Sequence, residues 1–185
     1  MSVFRRDSSG KSKRILTIVT FFFLLVVITV AGILTPLSLE DSKTMSDELK
    51  QIQDETRGMN IWQNTLFLFT HNSIVCLLMF IPIVGPFYGS YAMYNTGLYL
   101  GAESRVMNMP GLIVFAALFI SPHTWLEFIA CSMACATSVW LIWKVIKRQA
   151  KRELLQTCRY IAICALLLFA AGFIEAYLIA SFPQA

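Results

Sequence analysis

Residues 15–34, ILTIVTFFFLLVVITVAGIL, are twenty consecutive residues without a charged side chain, and they decide the fold class of this chain. A helix of about 20 apolar residues is long enough to cross the hydrocarbon core of a bilayer. A secretory signal would have a shorter apolar core and a small-residue cleavage site. We therefore predict that residues 15–34 form a membrane-spanning helix, which anchors a basic N-terminal segment, residues 1–14.

The composition of the whole chain is also typical of a membrane protein. Of its 185 residues, 57% are apolar and 14% are charged, whereas about a quarter of the residues of a soluble domain are charged. This length accommodates about five spans of roughly 20 residues each, and it leaves no room for a separate catalytic domain. The five cysteines lie within apolar runs and lack the spacing of zinc ligands, so we predict no disulfide framework, metal or cofactor.

Further apolar stretches predict the remaining spans. These are residues 62–83, 87–106, 123–143 and 160–180. Residues 112–143 would make one helix of about 50 Å, which exceeds a bilayer core of about 30 Å, and Ser121 and Pro122 divide that run. The predicted fold is therefore an all-α polytopic membrane helix bundle with about five transmembrane helices, in which residues 112–120 form a short interfacial or re-entrant helix before the fourth span.

Residues 35–61, between the first two spans, form a polar and mainly acidic external segment. Its apolar residues fall near one helical face, Thr44 can cap the start of a helix, and Gly58 can end it. These apolar residues are Met45, Leu49, Ile52 and Met59. We predict a short amphipathic helix on the membrane surface, and the alternative is a solvated linker.

The basic residues predict the topology of the bundle, residues 62–185. Eleven of the fifteen fall in the N-terminal segment and in the loop over residues 144–159, between the fourth and fifth spans. They are Arg5, Arg6, Lys11, Lys13, Arg14, Lys144, Lys147, Arg148, Lys151, Arg152 and Arg159. By the positive-inside rule both segments are cytoplasmic. This predicts a cytoplasmic N-terminus, an external C-terminus and no role for the positive charge in binding nucleic acid.

Polar side chains within or beside the spans predict an intramembrane cluster, because such groups are costly unless they face a partner or a cavity. The candidates are His71, Asn72, Asn95, Glu103, Arg105, His123, Glu127 and Glu175. We expect Glu127 at its centre, with a hydrogen bond to His123 one turn earlier and another to Asn72 or Asn95 of a neighbouring span. Arg105 is the expected cationic partner of a glutamate. His123 and Glu127 have a spacing that could also bind a metal, but the HExxH motif of zinc proteases is absent.

Small residues predict where helices approach one another. Gly97 and Gly101 form a GxxxG pair in the third predicted span, and such a pair lets another helix approach its backbone. Ala130 and Ala134, with Ser138, form a second series of small residues in the fourth span. We interpret both as helix-packing sites rather than chemical sites.

Two stretches resemble the stage II sporulation protein M family. The first runs from Phe67 to Gly101 and contains Asn72, the Gly85-Pro86 break and the Asn95-Thr96-Gly97 sequence. The second, residues 121–130, reads SPHTWLEFIA and resembles the family's Pro-His-Gly motif, with a glutamate three residues after the glycine and a small residue soon after it. The five-span plan is also similar. The sequence departs from the family pattern at His71, where an asparagine is common, and at Thr124, where the motif has glycine.

The resemblance implies a membrane scaffold, since members of this family in spore-forming bacteria hold cell-wall hydrolases together at the engulfing membrane. Our first hypothesis is therefore a non-catalytic scaffold or accessory subunit in the cell membrane. Its partners would be lipids, other membrane or extracytoplasmic proteins, or further copies of the chain. The alternative is a small transporter or membrane-embedded hydrolase that uses His71, His123, Glu127 and Glu175.

Overall fold

The computed structural model describes residues 2–181, without the side chains of residues 2–10, 53, 57, 150 and 152. The side chains of three predicted cytoplasmic basic residues, Arg5, Arg6 and Arg152, therefore lie outside the described part. Seven α-helices and no strand occur in the described range, which confirms the all-α prediction. The helices are α1 (Ser2–Leu34), α2 (Leu39–Arg57), α3 (Ile61–Met79), α4 (Val84–Val106), α5 (Gly111–Ile120), α6 (Pro122–Ile146) and α7 (Ala150–Ser181).

The external segment forms a helix that starts earlier than predicted. Ser38 caps α2, since its side chain accepts a hydrogen bond from the backbone N–H of Asp41. The prediction that Thr44 is the cap was wrong, because Ser38 offers a capping hydroxyl one and a half turns earlier and the first turn carries acidic residues, which favour a helix N-terminus. Thr44 instead donates to the carbonyl of Glu40 within the helix. Gly58 follows the last residue of α2, as predicted.

The helices α5 and α6 are separate, as the Ser121-Pro122 pair predicts. Pro122 is the first residue of α6, a position where its missing N–H costs nothing. The axis bends by 117° between α4 and α5. A short apolar helix therefore follows the third predicted span at a steep angle, before α6 begins.

The structure supports a helical membrane protein but does not confirm five spans. Three helical segments are long and apolar enough to cross a membrane, namely Lys11–Leu34, Pro122–Ile146 and Glu153–Ser181. A fourth is added if the bent pair α4 and α5 counts as one span. The helix α3 is not among them, since its amide and imidazole side chains lower its hydropathy.

Helix α6 lies at the centre of the bundle. Its residues 130–138 are all buried, and it packs against α1, α3, α4 and α7. The thiols of Cys76 in α3 and Cys164 in α7 both donate to the carbonyl of Ala130 in α6. The three helices therefore meet at one level of the bundle.

Close contacts also fix the relative directions of the helices. Gly97 and Gly101 of α4 lie against Thr29 and Ile33 of α1, so these helices run parallel. Gly85 and Gly89 near the start of α4 contact residues 138 and 135 of α6, so α4 and α6 run antiparallel. The bundle thus has α1 and α4 in one direction and α6 in the other.

The connection between α6 and α7 is shorter than the predicted loop, residues 144–159. Helix α6 continues to Ile146 and α7 begins at Ala150, which leaves three connecting residues. Both helices extend beyond the apolar runs because their polar ends can continue the same backbone hydrogen bonding in water. We call this region, together with the start of α1, the basic end of the bundle, and the opposite region the α2 end.

Candidate functional site

The predicted polar cluster contains one direct contact between helices. Asn72 of α3 donates through Nδ2 to Oε1 of Glu127 in α6, at 2.6 Å. Both residues are half-buried. They meet because Asn72 and Cys76, one turn apart, lie on the face of α3 that packs against α6. The contact thus joins α3 to the central helix through a carboxyl group.

Glu175 of α7 is the second carboxyl group of this site. It is half-buried, and it lies close enough to Glu127 for their charges to interact. It forms no hydrogen bond or ion pair with any of the residues described, 2–181. The site therefore brings together two carboxyl groups and an amide from three helices.

His123 does not form the hydrogen bond to Glu127 that we predicted. Its Nδ1 atom is buried and has no hydrogen-bond partner among the described residues. The carboxyl group of Glu127 turns instead toward α3, where it accepts a hydrogen bond from the Asn72 amide. Asn64 Oδ1 and Ser73 Oγ of α3 are likewise buried without partners in the described range.

His71 and Asn95 lie outside the contact. His71 is exposed on the outer face of α3 and lines a shallow groove there. Adjacent helical residues point about 100° apart, so inward placement of Asn72 turns His71 outward. Asn95 is half-buried in α4 and makes no hydrogen bond within the described part of the chain. The direct contact between Asn72 and Glu127 therefore does not include His71 or Asn95.

Arg105 does not pair with a glutamate. Its guanidinium donates to the backbone carbonyl of Leu37, just before α2. The C-terminal end of α4 lies beside the connection from α1 to α2, and the guanidinium reaches a backbone carbonyl of this connection. Glu103 is half-buried and forms no ion pair with the residues that the structure describes. Arg105 thus positions α2 rather than neutralising the site.

The structure attaches α2 to α4 through contacts that the sequence analysis missed. Ser42 and Ser46 are buried, at 0% and 2% exposure, and α2 packs against α4. Tyr99 of α4 donates its hydroxyl hydrogen to Glu48 of α2 at 2.8 Å. The four-residue spacing of Ser38, Ser42 and Ser46 is the signal that could have found this face, because small residues at this spacing form one helical stripe.

The predicted small-residue positions lie at close helix contacts. A Cβ atom added to Gly97 would lie 2.1 Å from the carbonyl oxygen of Thr29, and one added to Gly101 would lie 2.8 Å from that of Ile33. Ala130 and Ala134 are fully buried in α6. The α1 side of the glycine contact also needs Gly32, which faces α4. The GxxxG pair in α4 does not identify Gly32, because Gly32 lies on the partner helix.

At the basic end, an ion pair that the sequence does not predict links α1 to α7. Arg14 of α1 donates through Nη2 to Oε2 of Glu153 in α7 at 2.6 Å, and their side chains are 14% and 4% exposed. The Arg14 guanidinium also lies 4.9 Å from the ring centre of Trp140 in α6, whose Nε1 donates to Thr17. The sequence signal was Glu153 itself, the one carboxylate among the basic residues of the 144–159 segment.

The chemistry available to the site is limited. Within residues 2–181 no group of three or more His, Cys, Asp and Glu side chains has a geometry that could hold a metal ion. The direct contact of the cluster is a hydrogen bond between a neutral amide and a carboxyl group. Such an arrangement can hold helices together and can hold a proton, and its residues come from separate helices of the bundle.

Comparison with known proteins gives a match to a family model. A search of curated proteins and a search of solved structures each found no match. The sequence model described as Stage II sporulation protein M matches residues 18–178, which is most of the chain and includes six of the seven helices completely or almost completely. The chain therefore belongs to the stage II sporulation protein M family.

Proposed function

We propose that this membrane protein is a non-catalytic scaffold and that α2 is the surface on which it recruits an extracytoplasmic or membrane partner. The observation that carries the proposal is that an acidic helix is held in a defined position on the bundle. The attachment uses the buried serines Ser42 and Ser46 and the Tyr99 to Glu48 hydrogen bond. A surface that is already ordered loses little conformational entropy when a partner binds.

The charges of α2 support a basic partner. Its carboxylates are all exposed, and they are Glu40, Asp41, Asp47, Glu48, Asp54 and Glu55. Lys43 and Lys50 are exposed on the same helix, and Lys50 contacts Asp47 at 3.4 Å. The surplus of negative charge attracts positively charged protein surfaces and increases the rate of their association.

We also propose a multi-pass cell-membrane topology in which α1, α3, α4, α6 and α7 cross the bilayer, with the N-terminus cytoplasmic and the C-terminus outside. The Arg14 to Glu153 ion pair supports it, because it brings the basic start of α1 beside the basic connection between α6 and α7. The positive-inside rule then assigns both segments to the cytoplasm. Reporter fusions at residue 148 and at the C-terminus should report opposite sides, and the same side for both would contradict five spans.

Charge reversal on α2 tests the recruiting role. Asp47→Lys combined with Glu55→Lys should reduce copurification of the partner from native membranes in mild detergent at least tenfold. We leave Glu48 unchanged because it holds α2 to Tyr99. The thermal stability of the variant should stay the same, since exposed charges contribute little to folding.

A matched control separates the sign of the charge from the act of mutation. Lys43→Glu changes another exposed residue of α2 by two charge units in the opposite direction, and it should preserve or increase copurification. Tyr99→Phe should weaken recruitment without any change in charge, because it releases Glu48. Undiminished copurification in the variant with both charge reversals would show that the partner binds a surface other than α2.

A further inference from the structure

The outer face of α3 carries two neighbouring polar side chains near the middle of the helix. Thr70 and His71 are both exposed, and together with Leu66, Phe67 and Ile74 they line the shallow groove on this face. The opposite face of α3 packs into the bundle. The groove therefore lies on the outer surface of the bundle, on the side of α3 opposite the other helices.

The Thr70 hydroxyl differs from those of the other threonines. Nine threonines donate to the carbonyl four residues earlier, as Thr65 and Thr96 do, and Thr124 donates to Leu118. The side chain of Thr70 has no hydrogen-bond partner within residues 2–181. Thr56 is not a second such case, because it also forms an interaction. The His71 imidazole has no hydrogen bond in the same described range. Two adjacent polar groups thus face outward unsatisfied.

The position of these groups makes their exposure costly. His71 follows Ile61 by ten residues, which is about 15 Å along the helix axis. In the five-span topology proposed above, this depth is near the centre of the bilayer. An imidazole facing lipid without a partner is unfavourable there. A polar neighbour from another helix would relieve the cost.

We propose that a second copy of this chain covers the groove, with α3 packed against α3 across a twofold axis. A neutral imidazole and a hydroxyl each have a donor and an acceptor. In an isologous dimer, any contact made by one copy is repeated by the other. His71 of each copy can therefore bond to Thr70 of the other, so that two reciprocal hydrogen bonds satisfy all four side chains without a foreign group.

The shape of the groove also suits a second α3 helix. Leu66, Thr70 and Ile74 are spaced by four residues and form one ridge, while Phe67 and His71 belong to the next ridge. Ridges with this spacing interdigitate when two identical helices cross. This inference rests on the proposed topology and not on the proposed partner of α2, so recruitment and self-association can fail separately.

Disulfide crosslinking in membranes tests the dimer. The full chain with Cys158→Ser, which removes the exposed native thiol, and with Thr70→Cys is oxidised with copper phenanthroline. We expect a band at twice the 20.9 kDa monomer mass. The control is Leu166→Cys on α7, a position that is 71% exposed and should crosslink at least fivefold less.

A second variant tests the hydrogen bonds. His71→Leu should weaken the association of two differently tagged copies about tenfold, which corresponds to the loss of two interhelical hydrogen bonds in a membrane. Its thermal stability as a monomer should remain unchanged because the side chain is exposed. Absence of the Thr70→Cys band, equal bands for both cysteine positions, or a band whose mass reveals a different protein would overturn the proposal. Charge reversal on α2 should leave the Thr70→Cys band intact.

Discussion

Glu153 and Glu127 both link helices of the bundle, but their partners differ in charge. Glu153 accepts a hydrogen bond from the Arg14 guanidinium, and Glu127 accepts one from the neutral Asn72 amide, each at 2.6 Å. At the basic end an opposite charge compensates a buried carboxylate. In the polar cluster a hydrogen bond is the direct contact, and the nearest other ionisable group is the carboxyl group of Glu175. The difference indicates that the first contact depends on charge and the second on an acceptor oxygen.

The largest expected effect comes from removing the cation of the first contact. Arg14→Ala should lower the free energy of unfolding by about 3 kcal/mol, because breaking one side of a buried ion pair leaves an unpaired buried charge. Unfolding in detergent measures this. The control is Lys50→Ala, since the Lys50 and Asp47 side chains are 59% and 74% exposed and such pairs contribute about 0–1 kcal/mol. Equal losses in both variants would mean that Arg14 is solvated and that the comparison fails.

The next effect concerns the helix packing that holds both contacts in place. Gly97→Ala should destabilise the bundle by about 2 kcal/mol, because the new methyl group would meet the backbone of Thr29 at 2.1 Å. Gly58→Ala is the matched control, since nothing lies within 4 Å of that position and its φ of −79° suits alanine. Similar melting temperatures for the two variants would show that α1 and α4 can move apart without cost.

Much of this architecture is readable from the sequence because it depends on local patterns. The run of residues 15–34, the Ser121-Pro122 division and the glycine spacing each specify a local structure or a close approach. The sequence does not indicate which side of α3 points into the bundle. Apolar side chains occur on all sides of this helix, so no periodicity distinguishes His71 from Asn72, and only tertiary packing directs one inward and the other outward.

The partners of the charged side chains also cannot be predicted from the sequence, for a related reason. Arg14 and Glu153 are separated by 139 residues, and counting charges by segment places both in basic regions without pairing them. Charge counting predicts a glutamate partner for Arg105, because Arg105 is the cation available outside the basic segments and α2. Its actual acceptor, the Leu37 carbonyl, is a backbone group. Every residue has such a group, so composition could not identify it.

The same isosteric substitution at both glutamates gives the sharpest form of the comparison. Glu153→Gln should destabilise the protein by about 1–2 kcal/mol, because hydrogen bonds to charged groups are worth about 1.5–3 kcal/mol and neutral ones about half as much. Glu127→Gln should change stability by less than about 0.5 kcal/mol, since the glutamine oxygen still accepts from Asn72. Glu127→Ala removes that oxygen and should cost about 1–2 kcal/mol. Unfolding curves of the three variants would contradict this if Glu127→Gln were as harmful as Glu127→Ala.

The smallest expected effect is at Glu175, and it separates the two carboxyl groups of the cluster. Glu175→Ala removes a side chain that has no hydrogen bond within the described residues, so no partner is left unsatisfied. It also removes a neighbouring carboxyl group that disfavours ionisation of Glu127. We expect its stability to stay within about 0.5 kcal/mol of the parent, below the loss for Glu127→Ala, in the same unfolding measurement. A loss at Glu175 equal to that at Glu127 would mean that the two carboxyl groups act as one hydrogen-bonded unit, in which the acceptor role assigned to Glu127 is shared between α6 and α7.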